Sequence, residues 1–562
     1  MTPAGPRRGF KYWSSRLGLS LASILLVFAL LEGGVLLVFG PIYYPLPSLE
    51  DAAEYLYFTL PERFNPLFEP AESGDEAVFR TVPQLYEGDW FFAQEQSFRA
   101  QRGERGVRVA FMGGSSVQGW PFRMRGVVFA ELVEEDLARR FPHLDIEVIN
   151  AGVGTYSSFQ LVDVADQLQA FNPDVVVVYA GHNDQGYYFF HRTFLDSVAT
   201  SNPLEQLLNR FNFYQGARLV RDDWLGQSKP EHLGNADGVA FIPQDENIRD
   251  IGTARYSEFV RIQQDYLPQI FQANLSEVVD RLQDNDTQVV LAQPASNLRD
   301  FTPVFSMHWE PLSARKSKRF EALVAQADEL MRERFVDPRR MPPIEGNGEA
   351  VDPNAEWGPI PPAEPPALGS SDAIAACKEP LDFLDQAIQL SDSHAMAHFL
   401  RGTCLIHSDP AAARTAFVLA RDLSPAMAPF QRAPSPLINV VEKVATDKNL
   451  PVIDLPAAFD KASEGGIAEG RWFMDSIHFS AQGHRLVADS LLPVLAELPV
   501  FVRGPGNGRP ADPSPEVTAA LLRDKASRFT WGLDLVIPGA GMPAVGGDPQ
   551  DEAAPSADEP AP

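Results

Sequence analysis

The chain has 562 residues with 47 basic and 75 acidic side chains, a formal net charge of −28, 45% hydrophobic residues and 10% aromatics. That much apolar surface builds a core and excludes a wholly disordered chain. The acidic balance, with no dense Lys/Arg cluster beyond the first sixteen residues, speaks against a nucleic-acid partner.

The chain opens on a basic flank, 1–16, with Arg7, Arg8, Lys11 and Arg16, followed by an apolar run, 17–40, in which Glu32 is the one charge. Such a run is long enough to span a bilayer as a helix. The positive-inside rule keeps the flank cytoplasmic and puts the rest of the chain on the far side, the periplasm if the source is bacterial. A cleaved signal peptide is the rival, but no A-x-A-like site follows closely. Glu32 reads either as a functional intramembrane acid or as a carboxyl at the exit interface, the blander reading.

Residues 41–106 mix aromatics, prolines and acids without a sustained period and read as a juxtamembrane segment. From Val107 the texture changes to short Val-rich runs, Val107–Met112, Ile146–Ile149 and Val175–Tyr179, separated by helical patterns over Gly126–Arg140 and Ser157–Phe171. Helix Glu258–Leu282 with strand Gln288–Leu291, then strand Val452–Leu455 with helix Ala481–Leu498, continue the alternation. Continuous apolar strands between helices are what a parallel sheet covered on both faces requires, so an α/β doubly wound domain is expected, in two parts, 107–340 and 448–502.

Between the parts, 341–370 holds eight prolines and reads as an extended linker. Over 371–447, Ala-Ile-Gln-Leu-Ser at 387 recurs 33 residues later as Ala-Arg-Asp-Leu-Ser, and Ala413, Phe417, Ala420 and Pro425 keep the spacing of half a tetratricopeptide repeat. One and a half repeats are too few to stand alone, so this helical insertion is expected to pack on the main domain and to offer a surface for a protein partner. The tail, 503–562, is rich in Pro, Gly, Ala and Asp and reads as largely disordered.

Three segments stand at predicted strand ends, where open α/β sheets bind ligands. Gly113-Gly114-Ser115-Ser116 presents a serine hydroxyl at a helix start, although alone such a loop is usually a turn. It lacks the G-K-[ST] and G-x-G-x-x-G patterns of nucleotide loops. Gly181-His182-Asn183-Asp184 offers an amide that can donate to an oxyanion, and Asp475-Ser476-Ile477-His478 places a carboxylate where it can orient an imidazole.

Together, in this order and strand context, Ser115 in GGSSVQG, Asn183 in GHND and Asp475 with His478 in DSIH resemble the blocks of the SGNH hydrolases, or GDSL esterases. The resemblance covers 107 to about 300 and 450–498 and implies a three-layer α/β/α, flavodoxin-like fold. It implies Ser115 as nucleophile, His478 as base, Asp475 as triad acid, and an oxyanion hole from the Ser115 N–H, the Asn183 amide and a second-block donor. That donor is Thr155, standing where the family places a glycine, with Gly154 as the alternative. Gly114 stands where the name-giving aspartate often lies.

No metal or organic cofactor is implied. The expected activity is hydrolysis of a carboxylic ester, on an acylated envelope glycan or a lipid, with polysaccharide O-acyl transfer as the enzymatic alternative and a tethered interaction module as the non-enzymatic one. Other residues rank lower. His394 and His398 have a metal-compatible i, i+4 spacing without a third ligand, and ordinary helix positions are favoured. Cys377 and Cys404 either pair across two helices in an oxidising compartment or are buried thiols. Asn297, Arg299 and Asp300 either shape substrate entry or form a plain surface loop.

Overall fold

The computed structural model describes residues within 66–185, 267–334, 367–424, 432–505 and 512–528, with short breaks in the first two stretches, and a few isolated positions, including 30–33. Apart from those four residues, the proposed span 17–40 lies outside the described residues. Among the described residues no helix is long and apolar enough to cross a membrane.

Strands β4 (Gly106–Gly113), β5 (Asp145–Gly152), β6 (Val175–Tyr179), β7 (Gln288–Ala292) and β8 (Val452–Ile453) form one sheet in the order β5-β4-β6-β7-β8. Every pair is parallel. This is the order of a doubly wound sheet whose crossovers reverse direction between β4 and β6. Alternation along the strands divides the core. Ala110, Met112, Ile149, Val176 and Leu291 face one helical layer, whereas Val109, Phe111, Val148, Val177 and Val290 face the other. An α/β fold with a parallel sheet, as the Val-rich runs predict, is what forms.

Short α1 (Ser115–Gln118) follows β4, and α2 (Phe129–Arg140) leads to β5. Helix α3 (Ser158–Gln169) precedes β6 and starts on a capping box, Ser157 with Gln160. Helix α4 (Leu267–Gln283) precedes β7.

The described residues from 66 on in the segment read as juxtamembrane include three strands. Antiparallel β1 (Phe68–Ser73), β2 (Glu76–Thr81) and β3 (Ser97–Arg99) form a separate sheet. Phe68, Phe79 and Phe98 ring Phe171, each with its centroid about 5 Å from that ring. The aromatics that gave no local period are thus used across long range.

The crossover from β7 to β8 holds α5 (Ala314–Arg334), α6 (Ser371–Leu390), α7 (Ala395–Leu405), α8 (Pro410–Asp422) and α9 (Ser435–Asp447). The insertion is bounded differently from the 371–447 reading. Helix α5 packs with α6 and α7 through Ala327, Met331, Cys377, Leu384 and Leu400 and so goes with the insertion. Helix α9 sends Leu437, Val440, Val441 and Val444 into the sheet's own core. An apolar stripe reads the same whichever surface it covers. Cys377 and Cys404 form a disulfide between α6 and α7, with Cα atoms 5.2 Å apart. Ala413, Phe417 and Ala420 share one buried face, packed with Phe399 and with Leu298 and Ile467 of the α/β domain.

After β8 come α10 (Leu455–Ala462), α11 (Ala481–Ala496) and α12 (Pro499–Arg503). Part of the tail, 512–528, is ordered. Helix α13 (Pro515–Arg528) buries Ala519 and Leu522 in the core, and Asp512 pairs with buried Arg102 at 2.5 Å. Arg102 also reaches Asp174 at 2.9 Å.

Candidate active site

Gly113 and Tyr179 are register partners at the ends of β4 and β6, so the loops that follow them flank the switch point. Ser115 opens α1, and its N–H and that of Ser116 precede the first intrahelical bond, from Val117 N–H to the Gly114 carbonyl. Asn150 holds this short helix to β5: its amide donates to the Val117 carbonyl at 2.9 Å and its side-chain oxygen accepts from Gly152 N–H. The sequence reading assigned Asn150 no such role, because the contact crosses strands.

Asp475 and His478 lie on a loop closed by the paired residues Phe473 and Phe479 and by Met474 N–H donating to the His478 carbonyl at 2.7 Å. One carboxylate oxygen of Asp475 accepts from the N–H groups of Ile477 and His478, each at 2.8 Å. The other lies 2.5 Å from His478 Nδ1. Burial pushes this carboxyl's pKa up, but the neighbouring imidazole and the hydrogen bonds prevail and hold it below the ordinary value. With Nδ1 donating to Asp475, Nε2 accepts, and it stands 2.7 Å from Ser115 Oγ. The structure thus brings Ser115, His478 and Asp475 into one hydrogen-bonded line across 363 residues of chain.

Asn183 begins a single 3-10 turn after β6, and its amide donates to the Tyr156 carbonyl at 2.9 Å. Next to it, the Asp184 carboxylate accepts from Ser158 N–H, and burial pushes its pKa up to about 6 despite that contact. The Asn183 amide nitrogen comes within 2.5 Å of where a Cβ on Gly114 would stand. A side chain at 114 would displace it, so the departure from aspartate there permits this approach.

Thr155 is half-buried in the second-block turn with φ at +63°. That is the left-handed region, which a β-branched residue enters at a cost of about 1–2 kcal/mol. Gly154, the alternative donor, is corrected: its N–H donates to the Phe92 carbonyl at 2.8 Å. Thr155→Gly is expected to keep the backbone N–H and activity while raising Tm by about 2–4 °C, the equivalent of roughly 1 kcal/mol in a domain of this size. A melting curve showing a lower Tm would mean that the threonine side chain stabilises the turn more than its backbone strains it.

Asn297, Arg299 and Asp300 are tied to the segment before His478. Asn297 N–H donates to the Ser476 carbonyl at 2.9 Å, Gly470 N–H donates to Asp300 at 2.7 Å, and Arg299 pairs with Glu469. They brace the segment that leads to His478. His398 contacts the Asp392 carbonyl at 2.6 Å and His394 contacts Ser306 Oγ at 2.9 Å. Among the described residues no group of His, Cys, Asp or Glu is arranged to hold a metal ion.

Residues 111–358 match the model of the GDSL-like lipase/acylhydrolase family. The chain carries a GDSL-like lipase/acylhydrolase domain. With it, the chain is a serine ester hydrolase. The matched span of this acylhydrolase ends before Asp475 and His478, so the structure alone joins them to Ser115.

Similar solved structures include an acetyl xylan esterase, AlAXEase, at 14% identity and TM-score 0.28, covering 69% of this chain and 100% of that one. A putative GDSL-like lipase from Parabacteroides merdae is 11% identical, with TM-score 0.29 and coverage of 69% and 94%. The lipase/acylhydrolase from Enterococcus faecalis is 13% identical, with TM-score 0.26 and coverage of 71% and 96%. At these scores the fold rests on strand order and register instead. No curated protein matches the sequence.

Proposed function

We propose that this acylhydrolase is a membrane-anchored, extracytoplasmic esterase working through Ser115, His478 and Asp475. The observation that carries the reading is the line from Ser115 Oγ through the His478 ring to Asp475, with spacings of 2.7 and 2.5 Å. His478 Nε2 takes the hydroxyl proton as Ser115 attacks the ester carbonyl, and Asp475 fixes the tautomer and stabilises the imidazolium. The oxyanion is received by the Ser115 N–H, the Thr155 N–H and the amide hydrogen of Asn183 not donated to Tyr156. The imidazolium then protonates the departing alcohol, and water attacks the acyl-serine.

The anchor is supported by the basic flank and apolar run before residue 41. The extracytoplasmic setting is supported also by the Cys377–Cys404 disulfide, a bond that persists in oxidising compartments. An outward-facing enzyme meets acylated envelope glycans and lipids, and these are the proposed substrates.

The test is to trap the full-length chain with a fluorophosphonate, map the adduct, and then supply 4-nitrophenyl acetate and acylated glycans with and without free sugar acceptors. A Ser115 adduct with release of free acid supports the esterase. An adduct elsewhere sinks the assignment, and acyl transfer to sugar in preference to water would replace hydrolysis by O-acyl transfer.

A further inference from the structure

Arg432 and Ala433 stand immediately before the cap of α9, where the chain joins the sheet's core after the helical insertion. Both are buried. The Arg432 guanidinium donates to the Asn297 carbonyl at 3.0 Å and the Phe301 carbonyl at 3.1 Å, and lies over the Phe301 ring. Asn297 in turn donates its N–H to the Ser476 carbonyl at 2.9 Å and its amide to the Asp475 carbonyl at 3.4 Å. One hydrogen-bonded residue therefore separates Arg432 from the backbone that aims Asp475 and His478.

The adjacent residue reaches the opposite side of the site. Ala433 N–H donates to His182 Nδ1 at 3.1 Å. The neutral ring consequently carries its proton on Nε2, which meets Tyr179 Oη at 3.1 Å, and that oxygen accepts from Ala295 N–H. Burial pushes the His182 pKa down to about 3, so the ring keeps this donor pattern at neutral pH. His182 immediately precedes Asn183.

We propose that Arg432 and Ala433 form a clamp that fixes the acid–base loop relative to the oxyanion loop, with Arg432 a positioning residue for Asp475 and His478. The proposal rests on the catalytic reading above. Burying a guanidinium carries a desolvation cost. Here its donors serve the main chain of the very loop that braces the histidine segment. The insertion is tied to the chain beside the clamp, since Arg421 of α8 donates to Ser435 Oγ at 2.7 Å and Ser435 N–H donates to Asp422 at 2.9 Å.

The test uses the full chain and 4-nitrophenyl acetate. Arg432→Met is expected to melt cooperatively and to show kcat lowered by roughly 10–100-fold with KM within about twofold, because a misplacement near 1 Å costs about 10²-fold. Fluorophosphonate labelling of Ser115 should slow by a similar factor. One guanidinium nitrogen, Nη1, serves both carbonyls, so Arg432→Lys, which keeps a cationic nitrogen donor on a differently shaped and shorter side chain, should recover part of the rate. A folded Arg432→Met enzyme with wild-type kcat overturns the clamp. If Arg432→Met does not fold, Arg432→Lys decides: a several-fold lower kcat at unchanged KM supports positioning, and wild-type kcat overturns it. Failure of both variants to fold also overturns it, since the arginine is then a folding requirement. Ser115→Ala run alongside separates the two ideas: retained turnover there sinks the catalytic reading, whereas an inactive Ser115→Ala beside a fully active Arg432→Met sinks only the clamp.

Discussion

Ser115→Ala is expected to lower ester turnover by about a million-fold, the scale seen when the nucleophile of a Ser-His-Asp unit is removed, and to abolish fluorophosphonate labelling. Ser116→Ala should leave labelling and turnover within a few-fold. The two hydroxyls are neighbours with different employment. Ser115 Oγ is half-buried and faces His478 Nε2 at 2.7 Å, whereas Ser116 is buried and its hydroxyl donates to the Ile477 carbonyl at 3.2 Å. Losing that second bond costs about 1 kcal/mol of stability and no chemistry. Labelling and aryl-ester assays on both variants check this, and an adduct surviving in Ser115→Ala would remove Ser115 from the mechanism.

Asp475→Asn is expected to lower kcat by up to about 10⁴-fold while the protein stays folded. Asparagine is nearly isosteric and its oxygen can still accept from the N–H groups of Ile477 and His478, so the loop keeps its shape. Its NH₂ then points at His478 Nδ1, and the ring must carry its proton on Nε2, where it cannot accept from Ser115. The pH profile of kcat for wild type and variant, with KM measured in parallel, is the relevant assay. A variant of near wild-type kcat would show that His478 has another orienting partner.

What was legible in the sequence is what local chemistry dictates. Strands such as Val175–Tyr179 are buried on both faces and leave an unbroken apolar run, and Gly113 to Ser115 or Asp475 to His478 are contiguous enough to be recognised as blocks. Long-range partners are illegible by the same logic. Phe68, Phe79 and Phe98 gave no period because their common partner, Phe171, lies some 70 to 100 residues on. The acidic tail concealed Asp512 because its partner, Arg102, lies 410 residues earlier. In the site itself, Ser115, Asn183, Asp475 and His478 were named from motifs. Asn150 and His182 stand within or beside the recognised blocks and Arg432 outside them, but the role of each was illegible, since it acts through a carbonyl or N–H whose owner only the folded chain reveals.

The separation of Ser115 from His478 by 363 residues sets an order of events during synthesis. A chain emerging N-terminus first exposes the Ser115 hydroxyl long before the imidazole that faces it has been made. The sheet gains its last strand, the two residues Val452 and Ile453, at one edge, and only then does the histidine loop follow. On the proposed mechanism a chain that stops short of His478 is silent toward acyl esters, and competence awaits the histidine loop.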